Sequence, residues 1–258
     1  MARGEIITPK NAGQIITPPK PPCSFCEPQT TQYPHFAAYG RGRIDLVHLL
    51  ETEHAYVKPD ILPSSPDGHL LLIPKPHGTS FAALPQLTSE IGQLLYQTEQ
   101  ILQRPVVFFE HGSIEEGAKV QSVYHQHAHI IPDGSSNVLD FMRDWLNKLG
   151  IPHEVIDTSD PSPIANLKRH FDGFNYLYIQ QGRVGLMAHD NLDGKPTDAF
   201  PSQITQRGAS RLFHGRELNW KQIAQSDELA RLSVQTIAHI VDDCNFPRPT
   251  QAGLQGIR

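Results

Sequence analysis

The segment Ser122-Val123-Tyr124-His125-Gln126-His127-Ala128-His129-Ile130-Ile131-Pro132 places three imidazoles on alternate residues. Bounded by Val and Tyr before and by Ile, Ile and Pro after, it reads as a strand, and alternate side chains of a strand share one face. The expectation is one strand lined on one side by His125, His127 and His129. Two chemistries suit such a face. One is ligation of zinc or another metal. The other is nucleophilic catalysis. A neutral imidazole nitrogen attacks phosphorus well and departs well once attached, so a covalent phospho-imidazole forms and breaks without a metal at the reacting centre. The plainer alternative is three histidines on a solvated surface, and the apolar flanks argue against it. A second chemistry-bearing pair is Cys23-Ser24-Phe25-Cys26. The chain has three cysteines and an N-terminus without an apolar signal core. The pair therefore reads as a metal knuckle or as reduced thiols rather than a disulfide.

Several elements must hold these residues. Strands are expected over Ile44 to Glu51, Ala55 to Val57, His69 to Pro74 and Val106 to Glu110, with the Ser64-Ser65-Pro66-Asp67-Gly68 stretch a loop by composition. Apolar residues at helical spacing (Ile91, Leu94, Leu95, Ile101, Leu102) predict a helix over Thr88 to Gln103. Beyond Asp133, helices are expected at Asn137 to Leu149, Pro201 to Phe213 and Asp227 to Cys244, and strands at Pro152 to Ile156, Tyr176 to Ile179 and Val184 to Met187. Cys244 falls on the apolar stripe of the last helix and reads as a core residue. Arg207 and Arg211, four apart, with Arg216 beyond, read as a solvated helix face, the alternative being a contact to a substrate phosphate.

The 258 residues suffice for a sizeable core. A net charge of −5 argues against general nucleic-acid binding. No run of about 18 apolar residues suggests a membrane span. With no secretion signal evident, a cytoplasmic location is expected. Residues 1–22 repeat GEIITPK as GQIITPPK and read as an extended, proline-rich arm.

The run Gln121-Ser122-Val123-Tyr124-His125-Gln126-His127-Ala128-His129 resembles the signature of the histidine triad (HIT) superfamily, in which three histidines alternate with apolar residues. Asp60-Ile61-Leu62-Pro63 and Gly68-His69 through Pro74-Lys75-Pro76-His77 resemble the family's other motifs, in the same order. The resemblance spans about residues 23 to 132, with Gln126 standing where the family is usually apolar. Phe108-Phe109-Glu110-His111-Gly112 is closer to galactose-1-phosphate uridylyltransferases and to splicing-associated proteins of the CwfJ type.

The resemblance implies an α+β fold: a HIT-like antiparallel sheet with flanking helices, plus a smaller C-terminal α+β region. The implied organisation is an arm over 1–22, a HIT-like catalytic domain over 23–135 and an extension over 136–258. The implied activity is that of a nucleotide hydrolase or nucleotidyltransferase acting at an α-phosphorus. A nucleotide- or RNA-end-binding module with little turnover is the alternative. By resemblance, His127 is the nucleophile and His129 orients it. Ser122 and Gln121 bind the phosphate or leaving group. Asp60 accepts the ribose hydroxyls, and His69 and Glu110 join the nucleotide site. A structural zinc is implied on Cys23, Cys26, His77 and His125. A homodimer is the assembly the resemblance suggests.

Overall fold

The computed structural model describes residues 48–60, 63–78, 80–112, 125–133, 137–157, 162–170, 175–189, 204–218, 226–244 and 246. Eight strands form one antiparallel sheet in the order β1-β2-β3-β5-β4-β7-β8-β6. In chain order they are β1 (Leu50–Glu51), β2 (Ala55–Pro59), β3 (Leu70–Pro74), β4 (Val106–Gly112), β5 (Ala128–Pro132), β6 (Glu154–Asp157), β7 (Tyr176–Gln181) and β8 (Val184–His189). The helices are α1 (Thr88–Leu102), α2 (Val138–Lys148), α3 (Pro163–His170), α4 (Ile204–His214) and α5 (Asp227–Ala238). No helix among the described residues is long and apolar enough to cross a membrane.

The strand alternation sorts side chains into two layers. Leu70, Leu72, Phe108, Ala128 and Ile130 belong to one buried cluster with Ile91 and Leu94 of α1. Val107, Phe109, Ile131, Leu177 and Ile179 belong to another, with Met142 and Trp145 of α2 and Ile204 and Ala209 of α4. Helices α2 and α4 approach closely at Gly208, where an added Cβ would lie 2.7 Å from the Met142 sulfur and 2.8 Å from the Trp145 ring. A larger residue there would force the two helices apart.

Three findings modify the sequence expectations. First, the triad strand begins at Ala128, and residues 125–127 precede it. The register Leu72↔Ala128 on β3 would bring Pro74 opposite Gln126. Pro74 has no N–H to continue the ladder, so β5 starts later. The Gln126 N–H instead donates to Gly78 O at 2.7 Å. Second, β7 pairs with β4 from Val107↔Gln181 to Gly112↔Tyr176, so the C-terminal strands extend the same sheet. Third, the last helix ends at Ala238 and passes into one π-helical turn, His239–Asp243. Cys244 lies just beyond that turn, partly buried against the core. A stretch with no expected element, Pro163–His170, is α3, with proline at its first position, where the missing N–H costs nothing.

Candidate active site

The site draws on residues at the end of β2, the start of β3, the end of β4 and the start of β5. Register sets its lining. Leu71 and Phe109 flank His129 on the two neighbouring strands. One alternation along, His69 and His111 fall on that same face.

Hydrogen bonds assign the protons on three rings. The His127 Nδ1 lies 2.9 Å from His125 O. A carbonyl only accepts, so Nδ1 carries the proton and Nε2, on the far edge of the ring, carries the lone pair. The Ser64 N–H donates to His69 Nδ1 at 3.1 Å. His69 is therefore protonated at Nε2, which lies 2.8 Å from His129 Nδ1 and donates to it. That bond in turn places the His129 proton on Nε2. The His127 and His129 rings meet edge to face, with centroids 5.1 Å apart.

Burial keeps these rings neutral. It lowers the pKa of His127, against the opposing pull of the His125 carbonyl and Asp60. It lowers His69, again opposed by Asp60. His129 falls well below the ordinary value through burial, reinforced by His69, His127 and His111. A neutral His127 is the form that can attack.

Asp60 lies at the edge of this relay, one carboxylate oxygen 3.5 Å from His69 Nδ1 and 3.8 Å from His129 Nδ1. Ligand atoms of Asp60, His69 and His129 all lie within 4.8 Å of one another, close enough to suggest a metal site. The donor chemistry favours a hydrogen bond instead. Two imidazole nitrogens on a tetrahedral zinc, each at about 2.0–2.1 Å, stand about 3.3 Å apart. The His69 and His129 nitrogens are 2.8 Å apart, the span of a shared proton.

A different pair fits the zinc implied by resemblance. The His77 and His125 rings pack edge on, with centroids 4.8 Å apart. His125 Nε2 donates to Pro74 O at 2.6 Å, so Nδ1 is the nitrogen that a metal there would take. Cys23, Cys26, Gln121 and Ser122 lie outside the described residues.

Glu110 stands apart from the relay. It pairs with Ala128 and so belongs to the face opposite His129. It is fully buried. Its Oε1 accepts from the Phe81 N–H and the Tyr176 hydroxyl, each at 2.7 Å, and from the Gln126 amide. Burial raises its pKa to about 8, outweighing those three donors. Glu110 thus anchors Gln126, between the first two triad histidines, to Tyr176 of the C-terminal strands. Gln126 turns away from His127, as strand alternation predicts.

His111 was not singled out as a site residue by the sequence reading. It follows Phe109, the neighbour of His129, by two residues on β4. It interacts electrostatically with His127 and His129. Burial, helped by His127, lowers its pKa to about 4. The period of two along β4 was the available signal, but it needed the β4–β5 register to be used. Arg207 and Arg211 turn to Glu217: Arg207 Nε donates to it at 3.0 Å, and Arg211 lies 3.7 Å away.

The HIT domain family model matches residues 41–135. An uncharacterized 16.1 kDa HIT-like protein of Mycoplasma pneumoniae is 30% identical over 103 residues, which cover 38% of this chain and 69% of that protein. The chain belongs to the histidine triad superfamily. Among solved structures, a zinc-bound histidine triad family protein from Mycobacterium smegmatis is 19% identical, covering 45% of this chain and 78% of its own, with a TM-score of 0.32. Yeast Ap4A phosphorylase in complex with AMP is 14% identical, covering 77% and 75%, with a TM-score of 0.38.

Proposed function

We propose that this HIT protein is a nucleotide hydrolase or nucleotidyltransferase working through a nucleotidyl intermediate on His127. The observation that carries this reading is the proton assignment at His127: Nδ1 donates to the His125 carbonyl, so Nε2 holds the lone pair. Nε2 attacks the α-phosphorus, and the bond from phosphorus to the leaving group's oxygen or nitrogen breaks, its electron pair going to that atom, which takes up a proton from solvent where it is basic enough to need one. Water or another acceptor then attacks the same phosphorus, a hydroxyl acceptor releasing its proton to solvent. The P–N bond breaks, and its electron pair returns to Nε2. The positive charge on His127 during the intermediate is stabilised by its bond to the His125 carbonyl and by Asp60 nearby. In this reading Asp60 accepts the ribose hydroxyls, while Ser122 and Gln121 hold the phosphate or leaving group.

Zinc on Cys23, Cys26, His77 and His125 would be structural, since four protein ligands close a tetrahedral site. His77 and His125 fit that role by their proximity. Such a site would tie the segment holding Cys23 and Cys26 to the residue two before the nucleophile.

A P–N bond to imidazole is labile in acid and survives mild base. The test incubates the protein with nucleoside phosphoramidates, adenylyl sulfate, dinucleoside polyphosphates and nucleotide sugars, then quenches rapidly in base. A mass increase of one nucleotide is expected on the peptide holding Tyr124 to Ile131. It should be absent in His127→Ala, together with turnover. Tight nucleotide binding without adduct or product would leave the binding-module alternative in its place.

A further inference from the structure

Residues 125–127 lie ahead of β5, whose ladder with β3 starts at the Leu72–Ala128 pair, yet Gln126 is buried. Its peptide unit with His125 is held at both ends. The Gln126 N–H donates to Gly78 O at 2.7 Å, and the His125 carbonyl of the same planar unit accepts from His127 Nδ1 at 2.9 Å. The Gln126 side chain turns to the opposite face of the sheet. There its Nε2 donates to Glu110 Oε1 and, over 3.4 Å, back to the His127 carbonyl.

Three donors converge on Glu110 Oε1. Besides Gln126 they are the Phe81 N–H and the Tyr176 hydroxyl, each at 2.7 Å. With its one hydrogen committed to Glu110, the Tyr176 oxygen accepts from the Ser80 hydroxyl at 2.8 Å. Tyr176 opens β7 and pairs with Gly112 of β4. Its ring crosses that glycine: a Cβ there would lie 2.3 Å from Tyr176 Cζ and 2.5 Å from its hydroxyl oxygen. A side chain at 112 would push the phenol away from Glu110. Tyr176, Glu110 and Gln126 are 1%, 0% and 1% exposed, so bulk water does not stand in for a lost partner.

These contacts form one path from the C-terminal strands to the triad. Without the Gln126–Glu110 bond, the 125–126 peptide unit loses the side-chain anchor beside it and can turn. Once its carbonyl leaves His127 Nδ1, the ring proton can sit on either nitrogen. A ring protonated at Nε2 has no lone pair there with which to attack. We infer that Gln126 is a positioning residue for His127, held from the opposite face of the sheet by Glu110 and by Tyr176 of the C-terminal strands. The C-terminal half thereby takes part in setting the triad. As a statement about turnover, the inference rests on the proposed role of His127. As a statement about where the His127 proton sits, it does not.

The test uses the full-length protein with ¹⁵N-labelled histidine. Long-range ¹H–¹⁵N spectra distinguish Nδ1–H from Nε2–H rings, and the His127 signals are those missing from His127→Ala. The parent should show His127 protonated at Nδ1. Gln126→Met keeps the length of the side chain but removes its donor. In that variant the His127 signals should move to a tautomer mixture, and labelling by adenosine 5′-phosphorimidazolide should slow by about tenfold. AMP affinity should stay within about twofold, because Gln126 faces away from the site. Tyr176→Phe should slow labelling by about threefold, and adding it to Gln126→Met should slow that variant no further, since both act through one link. Glu110→Gln keeps the accepting oxygen and should label within about twofold of the parent, whereas Glu110→Met should fall to the rate of Gln126→Met. Unchanged His127 signals in Gln126→Met would overturn the inference, even if labelling slows. So would losses that multiply in the double variant, a Glu110→Gln as slow as Glu110→Met, or an AMP affinity that falls as far as the labelling rate. A parent that takes no label, but whose His127 tautomer responds to Gln126→Met, would refute the covalent reading and uphold the positioning role.

Discussion

Glu110→Gln tests the buried network behind the triad. Glu110 is fully buried with a pKa raised to about 8 from 4.5, burial being the largest cause. Between those values the folded protein holds a proton that the unfolded chain has released. Stability must then fall as pH rises, by about 1.4 kcal/mol per pH unit. This contribution is fully present below about pH 4.5 and is lost progressively up to about pH 8. Across the whole window the loss is about 5 kcal/mol. For a chain of this length each kcal/mol moves the melting temperature by about 2–4 °C, so the drop should be about 10–20 °C. Gln keeps an oxygen to accept from Phe81, Tyr176 and Gln126 but has no proton to lose. Its amide nitrogen takes the place of Oε2, which has no hydrogen-bond partner among the described residues, so the variant's stability at low pH serves as the baseline. The assay is thermal unfolding of parent and variant from pH 5 to 8.5. Histidines titrate in both proteins, so the difference between the two curves isolates Glu110. The variant should gain steadily on the parent as pH rises. Parallel curves, or a variant that loses ground toward pH 8, would refute the reasoning.

Other outcomes follow from the same geometry. Asp60→Asn should weaken ribonucleotide binding by about 1.5–3 kcal/mol and deoxyribonucleotide binding by less. Equal losses in calorimetry would remove Asp60 as the ribose acceptor. Elemental analysis should find about one zinc per chain, and Cys23→Ser should lower both metal content and melting temperature. A metal-free parent of full stability would end the zinc reading. Gly208→Leu should destabilise by about 1–3 kcal/mol, because its side chain enters space held by Met142 and Trp145. Chemical denaturation that shows no change would mean that α2 and α4 can separate at little cost.

Local pattern made much of this protein readable from its residues. The apolar run Leu70–Pro74 is a strand because it is short, apolar and bounded by turn residues. Helix α1 follows from apolar spacing alone, and α2 from the same spacing with the Asn137 side chain accepting the Asp140 N–H at its start. The alternating histidines, with Asp60 and His69 upstream, were enough to name the superfamily. Pairing between distant segments lay beyond such patterns, because a strand's register and partners depend on residues far away in the chain. The absent N–H of Pro74 delays β5 and separates His125 from the strand that carries His129. Register with β5 turns Glu110 away from the triad and His111 toward it. The junction of β7 with β4 brings Tyr176 to Glu110. The proton positions on His69, His129 and His127 come last. Each is set by a hydrogen bond whose partner, a turn N–H, a second ring or a backbone carbonyl, meets it only when the sheet has closed around them.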